Sequence, residues 1–196
     1  MGAGEIEDRV LVEMVLAGDT RAFEKLVEKY KKRIYYLAYR MTRDHDSADE
    51  LAQESFVKAY QAMSGFKRGY SFYTWIYRIC VNLTINFLKR ESQTVSMDFH
   101  DSANDLFHGK DESDQLERMI ASEQAAIIKK ALNTLPPDQK AVFVLKTYDD
   151  MSYERIAEVM NCSIGTVMSR LFRARYKIRL AVKAADIPRN REDERL

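Results

Sequence analysis

Six aromatic residues fall between positions 66 and 77, namely Phe66, Tyr70, Phe72, Tyr73, Trp75 and Tyr77, and Lys67, Arg68 and Arg78 are set among them. Rings interleaved with cations are what a single-stranded nucleic acid needs. Unstacked bases regain roughly 1 to 3 kcal/mol each on a ring face, while the cations follow the backbone. If the segment is helical some rings must be core, and Trp75 and Ile79 are expected there. Phe72 and Tyr73 at the helix start, with the loop Lys67 to Ser71 before them, are the better stacking candidates. Asn82 stands one turn beyond Arg78 on the same face.

A second constellation lies near the C-terminus. Residues 152 to 174, SYERIAEVMNCSIGTVMSRLFRA, have the spacing of a helix-turn-helix: a short helix with Ile156, Ala157 and Val159 inward, a three-residue turn, then a longer amphipathic helix. At 100° per residue, Val167, Leu171, Ala174 and Ile178 cluster on one face of that second helix. Thr166, Ser169, Arg173 and Lys177 cluster on another. From Ser163 to Lys183 there are six basic residues and no acidic one, which suits a phosphate-facing surface. Arg and Ser side chains there can reach base edges, Arg170 and Lys177 suit phosphates, and the helix start at Ser163 to Thr166 can take another phosphate.

A third group, Asp49, Glu50, Gln53 and Glu54, crowds one short helix within ADELAQESFVKAY. Paired carboxylates could serve acid-base or metal chemistry. No His lies at ligand spacing on this helix, however, and no nucleophile or Gly-rich phosphate loop lies nearby. The acidic face is expected to dock a protein partner or to be merely solvated. His45, His100 and His108 are scattered, and Cys80 and Cys162 form no CxxC pair. No metal, no cofactor and no catalytic constellation is expected.

The elements that must position these groups are all helical. Apolar residues at Ile6, Val10 and Met14, and again from Phe23 through Leu26, Tyr30, Ile34, Leu37 and Met41, recur at three and four around a Gly18-Asp19 break. Ser47-Ala-Asp-Glu50 has capping-box spacing and opens a third helix reaching about Met63. Gly65 to Gly69 interrupts, and 71 to 90 reads as a long central helix. From Glu91 to about Asp114 periodicity is lost in a segment rich in Asp and Ser, read as a flexible acidic linker. Helical pattern resumes with Leu116, Met119, Ile120, Ile127, Ile128, Ala131 and Leu135. It ends at Pro136-Pro137, restarts from Asp138 to Tyr148, and continues over roughly 153 to 160 and 164 to 185. The expected fold is therefore all-α, with two small helical domains at 1–91 and 115–196 joined by a linker at 92–114. At 196 residues this is one domain or two small ones, against about 150 residues for a typical domain.

The formal charge of +1 hides a segregation along the chain. Net charge is −3 over 1 to 30, +5 over 31 to 91, −6 over 92 to 124 and +5 over 125 to 196. Two basic blocks around an acidic one suggest two polyanion-facing modules joined by something that does not touch the polyanion. The longest apolar run, Ala141 to Leu145, is far short of a membrane span, and the acidic start is unlike a signal peptide. Ile6 stands where a myristoylation motif wants Ser or Thr. A cytoplasmic location is expected.

Taken together, the motifs resemble those of the bacterial extracytoplasmic-function (ECF) sigma factors of the sigma-70 family, over about Leu11 to Val182. Asp49-Glu-Leu-Ala-Gln-Glu-Ser-Phe56 is similar to the family's polymerase-binding signature. Phe72-Tyr-Thr-Trp-Ile-Tyr-Arg-Ile79 with Asn82 is similar to its promoter-melting and -10-reading helix. Leu135-Pro-Pro-Asp138, Ser152-Tyr-Glu-Arg-Ile-Ala157 and Gly165-Thr-Val-Met-Ser-Arg170 are similar to its -35-reading helix-turn-helix. Met168 departs from the basic residue common at its place, and Asn86 stands near a position that is often acidic or polar.

The resemblance implies a non-enzymatic RNA polymerase subunit that reads -35 and -10 elements, stabilises melted DNA and is held inactive by an anti-sigma protein. It assigns polymerase binding to Asp49, Glu50, Leu51, Gln53, Glu54 and Phe56. Contact with -10 DNA falls to Lys67, Arg68, Ser71, Phe72, Tyr73, Trp75, Arg78 and Asn82, and contact with -35 DNA to Ser163, Thr166, Ser169, Arg170, Arg173 and Lys177. It also implies that the acidic linker threads through the polymerase. A stand-alone helix-turn-helix regulator would account for the C-terminal half but leave the 66 to 78 cluster idle.

Overall fold

A computed structural model describes residues 3–67, 70–94 and 126–185, with the side chains of 3–6 and 93–94 left aside. Arg68, most of the acidic linker, Leu116, Met119, Ile120, His100 and His108 lie outside the described residues.

Helix α1 (Ala3–Leu16) ends where Gly18 takes a left-handed φ of 100°, a conformation that costs glycine least. Asp19 then caps α2 (Thr20–Thr42), its side chain accepting from the Arg21 amide at 2.9 Å. The periodic row Phe23, Leu26, Tyr30, Ile34, Leu37 and Met41 is buried along α2, each large side chain contributing on the order of 1.5 to 3 kcal/mol. Arg43, at φ 64°, closes this helix with its amide on the Tyr39 carbonyl.

The next helix, α3 (His45–Gln61), starts three residues earlier than a cap at Ser47 would set it. Asp44 is the N-cap and accepts from the Ser47 amide at 2.7 Å. Ser47 thus donates its amide to the cap rather than being the cap. A short 3-10 turn, Met63–Gly65, leads towards α4 (Phe72–Thr94), which runs past the expected end into the first linker residues. Its buried face holds Phe72, Ile76, Tyr77, Cys80, Val81 and Ile85. The buried hydroxyls of Ser55 and Thr84 donate to the carbonyls of Leu51 and Cys80, at 2.6 and 2.8 Å, so neither is left unpaired.

The C-terminal half holds α5 (described over 126–133), α6 (Pro137–Thr147), α7 (Tyr153–Met160) and α8 (Ile164–Ala185). Pro137 at the first turn of α6 forfeits only an amide that would have no helical partner. Ser152 caps α7 through the Arg155 amide at 3.2 Å, and Asn161, at φ 47°, ends it. A small cluster of Leu132, Leu135 and Ala174 pins α5 to α8.

The two halves pack directly on one another. Val142, Leu145, Ile156, Val159, Val167 and Leu171 belong to the same apolar cluster as the cores of α2 and α4. Helix α6 lies on α2 and α4, and α7 lies on α4. Polar contacts edge this seam. Arg155 Nη1 donates to Thr74 Oγ1 at 2.6 Å, Arg40 Nη1 lies 3.4 Å from Asp149 Oδ1, and Lys89 Nζ lies 3.6 Å from Asp138 Oδ2.

Candidate nucleic-acid interface

Helix α8 carries the sharpest division of faces. Val167, Leu171 and Ala174 are buried and Ile178 is half-buried, whereas Ser169, Arg173 and Lys177 are exposed. The inward stripe holds α8 against α5, α6 and α7, leaving the hydroxyl and cation row outward. Ser163 is the helix cap: its Oγ accepts from the Thr166 amide at 3.1 Å and lies 2.9 Å from Thr166 Oγ1. Those hydroxyls are thus occupied with each other at the helix start. Arg170 folds back, its Nη2 lying 3.7 Å from Asp138 Oδ1 on α6 and its Nη1 4.0 Å from Cys162 Sγ, so it braces the turn instead of pointing outward.

Sequence reasoning missed an exposed apolar row on the same helix. Ile164, Met168, Phe172, Tyr176 and Leu180 are all exposed, Phe172 at 71%, and the Phe172 and Tyr176 rings are stacked 6.4 Å apart. The signal was present as an unbroken i, i+4 series lying beside a helix stripe already sufficient for the core.

On α4 the expected stacking pair divides. Phe72 is a core residue, 2% exposed, packed against Tyr30, Phe66 and Trp75. It has no face to offer a base, because the first turn of α4 must bury one large ring to seat the helix on α2. Tyr73 is half-buried, 4.4 Å from the Tyr77 ring, and Arg155 of α7 lies 6.0 Å over it. Burial pushes the hydroxyl pKa values of both Tyr73 and Tyr77 up. Trp75 is half-buried against Phe66, and Ile79 is half-buried on the core. Ser71 Oγ lies 3.5 Å from the Thr74 amide at the helix start. Lys67 and Asn82 are exposed.

Arg78 is engaged across the seam: its Nε donates to the Glu158 carbonyl at 3.1 Å, and Nη2 donates to the same oxygen. Helix α7 therefore covers Tyr73 and Arg78 on the face of α4 that the sequence analysis gave to DNA. Three buried polar atoms, Arg43 Nε, Gln139 Oε1 and Asp149 Oδ2, have no hydrogen-bond partner among the described residues. Burial raises the pKa of Asp149, with the Arg40 guanidinium opposing that shift. Arg40, Asp149, Arg155 and Glu158 were not singled out in the sequence, since partners some 80 to 109 positions apart leave no local signature.

On α3, Asp49, Glu50, Gln53 and Glu54 form an exposed polar face, with Gln53 Nε2 donating to Asp49 Oδ2 at 2.8 Å. Lys58 pairs with Glu54 at 3.2 Å, one turn away. Leu51 and Phe56 point the other way and are buried, so their part is to hold that face on the core. Among the described residues no group of His, Cys, Asp and Glu could hold a metal, and no helix is long and apolar enough to cross a membrane. Cys80 is fully buried, and burial pushes its thiol up to about 11, which leaves it protonated and inert.

Comparison with known proteins follows the same two halves. The sigma-70 region 2 family matches residues 26–94, and the sigma-70 region 4 family matches residues 125–178. The RNA polymerase sigma-H factor of Pseudomonas aeruginosa is 38% identical over 182 residues, covering 90% of this chain and 94% of that protein. The ECF RNA polymerase sigma-E factor of Haemophilus influenzae is 36% identical over 181 residues, covering 90% and 95%. Among solved structures, CnrH in complex with the cytosolic domain of CnrY superposes with a TM-score of 0.65 at 24% identity, over 91% of this chain and 98% of that one. The sigma factor RpoE with the anti-sigma factor NepR from Bartonella quintana gives 0.64 at 24% identity, over 84% and 98%. These likenesses bear out the all-α fold, and none points to a stand-alone helix-turn-helix regulator. With both sigma-70 regions in order and relatives above 30% identity across nine-tenths of its length, the chain belongs to the ECF RNA polymerase sigma factors of the sigma-70 family, the subunits that bind core RNA polymerase and direct it to promoters.

Proposed function

We propose that this sigma factor divides its work between a polymerase-docking and -10-reading module at 1–91 and a -35-reading module at 115–196, joined through 92–114. The observation that carries this reading is the two-faced α8, whose apolar stripe is spent inward while Ser169, Arg173 and Lys177 stand outward on a helix-turn-helix. Such a helix enters a major groove with Arg and Ser at base edges and Lys on phosphate. The exposed ring of Phe172, on the same helix, adds an apolar surface suited to a thymine methyl group.

The acidic face of Asp49, Glu50, Gln53 and Glu54 docks core polymerase through charge-assisted hydrogen bonds, with Leu51 and Phe56 as its buried footing. Lys67, Arg68, Ser71, Tyr73, Trp75, Arg78 and Asn82 serve the -10 element. Because α7 covers Tyr73 and Arg78 in the closed arrangement, the two modules must part before those groups meet DNA. An anti-sigma protein, as in the solved complex of RpoE with NepR, is the partner suited to hold such a chain closed. The protein performs no covalent chemistry itself and works in the cytoplasm with the polymerase.

Purified chain added to core RNA polymerase should support transcription from a promoter that neither component uses alone. Failure to co-elute with core enzyme, together with tight palindromic DNA binding by the chain alone, would overturn the proposal.

A further inference from the structure

A carboxylate is buried where α1 meets α2. Asp8 is 3% exposed, with Leu11 and Val12, one turn on, buried on the same face of α1. Lys29 Nζ of α2 lies 2.7 Å from Asp8 Oδ1 and 2.8 Å from Glu7 Oε2, and the Tyr30 hydroxyl donates to Asp8 Oδ2. Adjacent residues of α2 thus engage both oxygens of the Asp8 carboxylate. Burial, then the bond to Asp8, push the pKa of the Tyr30 hydroxyl up, so it stays protonated as a donor.

An apolar residue of similar size would close this site at least as well, since replacing a buried ion pair by a hydrophobe is often neutral or stabilising. What the carboxylate adds is direction. Tyr30 is itself buried, and a ring held at its hydroxyl end cannot slide along the surface it packs against. That surface is the first turn of α4. The Tyr30 ring lies 5.7 Å from the Phe72 ring at 46° and 6.0 Å from the Tyr73 ring at 52°. One ring therefore meets two consecutive residues, the buried Phe72 and the half-buried Tyr73. Tilted rings at these separations attract beyond their area burial, and a close-packed interior passes a displacement of one ring on to its neighbours.

We propose that Asp8 is a positioning residue for promoter melting: through the Tyr30 hydroxyl it fixes the ring on which the first turn of α4 rests, and so holds Tyr73 where an unstacked -10 base can meet it. The proposal rests on the reading that Tyr73 serves the -10 element. Asp8 itself touches no DNA; its effect runs from α1 to Tyr30 and from Tyr30 to Tyr73.

The test follows permanganate reactivity of promoter thymines over time in holoenzyme saturated with each full-length variant. Affinity for core polymerase, binding to a duplex -35 site and a melting curve are measured alongside. Asp8→Leu fills the site without an acceptor, Tyr30→Phe keeps the ring and removes the donor, and Asp8→Asn keeps an acceptor and removes the charge. Asp8→Leu and Tyr30→Phe are expected to open the promoter about 10-fold more slowly, the order of one lost hydrogen bond, with core and -35 binding unchanged. Asp8→Asn should open it at the parent rate. A purely structural role would leave opening untouched in any variant that melts with the parent, so parent-like opening by Asp8→Leu and Tyr30→Phe overturns the proposal. Opening as slow in Asp8→Asn as in Asp8→Leu also overturns it, because the charge and not the hydrogen bond would then matter. Tyr73→Ala is the reference: if it opens the promoter normally, the -10 reading fails and takes this positioning role with it. If Asp8→Leu melts early, Tyr30→Phe against Asp8→Asn decides on the same terms.

Discussion

The Arg78 guanidinium on α4 donates to the main-chain carbonyl of Glu158 on α7, joining residues 80 positions apart across the seam between the two halves. The acceptor is a backbone oxygen at the end of α7, so no change to the Glu158 side chain would remove it. The bond ties a cation of α4 to the helix-turn-helix of the C-terminal half. Arg43 Nε, Gln139 Oε1 and Asp149 Oδ2 are buried with no hydrogen-bond partner among the described residues.

Asp149→Arg sets a cation beside Arg40 where an acid now stands at 3.4 Å, and Arg155→Ala removes the bond to Thr74. The double variant is expected to open the chain, seen as a larger radius of gyration by small-angle scattering, and to bind a single-stranded -10 oligonucleotide more tightly than the parent. An unchanged radius of gyration would mean that the apolar contacts of α6 and α7 alone hold the halves together.

For the -35 element, Arg173→Ala should lose about 1 to 3 kcal/mol on a matched duplex and relax specificity at one base pair. Lys177→Ala should weaken binding to every sequence alike and lower the salt slope by about 1. Arg170→Ala should act through stability, since Arg170 reaches Asp138 and Cys162. Binding curves on matched and mismatched duplexes across a salt series separate the three. A uniform loss for Arg173→Ala would reduce that residue to a backbone contact.

The division of Phe72 from Tyr73 is directly measurable. Phe72→Ala empties a core site and should destabilise the chain by about 3 to 5 kcal/mol in a denaturant melt. Tyr73→Ala, at a half-buried ring, should cost less stability and instead reduce permanganate reactivity of promoter thymines in the holoenzyme. Equal stability losses with normal promoter opening would make both rings structural.

Lys140 is 4% exposed on α6, its Nζ 3.3 Å from Asn133 Oδ1, and burial, helped by Arg43, pulls its pKa down to about 8. The unfolded chain, titrating from the ordinary value of 10.5, then binds more protons than the folded one as pH rises through 8. Stability must therefore increase with pH, by about 1 kcal/mol between about pH 7 and 9, below the range where tyrosines ionise. Urea melts across that range should show the rise, and Lys140→Met should abolish it while raising stability at neutral pH. A flat profile for the parent would show that the ammonium reaches water.

What the sequence settles by itself is what a local period can encode. The spans 153 to 160 and 164 to 185, the inward set Val167, Leu171 and Ala174, and the outward set Ser169, Arg173 and Lys177 all follow from which positions share a face at 100° per residue. The breaks at Gly18-Asp19 and Pro136-Pro137 follow from the backbone limits of those residues. Periodicity marks a face as apolar but does not name what covers it. That Phe72 lies under Tyr30 and Phe66 while Tyr73 meets Arg155, that Asp44 and not Ser47 caps α3, and that the Tyr35, Tyr39 and His45 rings align across a turn depend on distances between elements. The seam is the clearest case. A guanidinium meeting a carbonyl 80 residues away is selected by how whole helices pack, and only the tertiary structure holds that information.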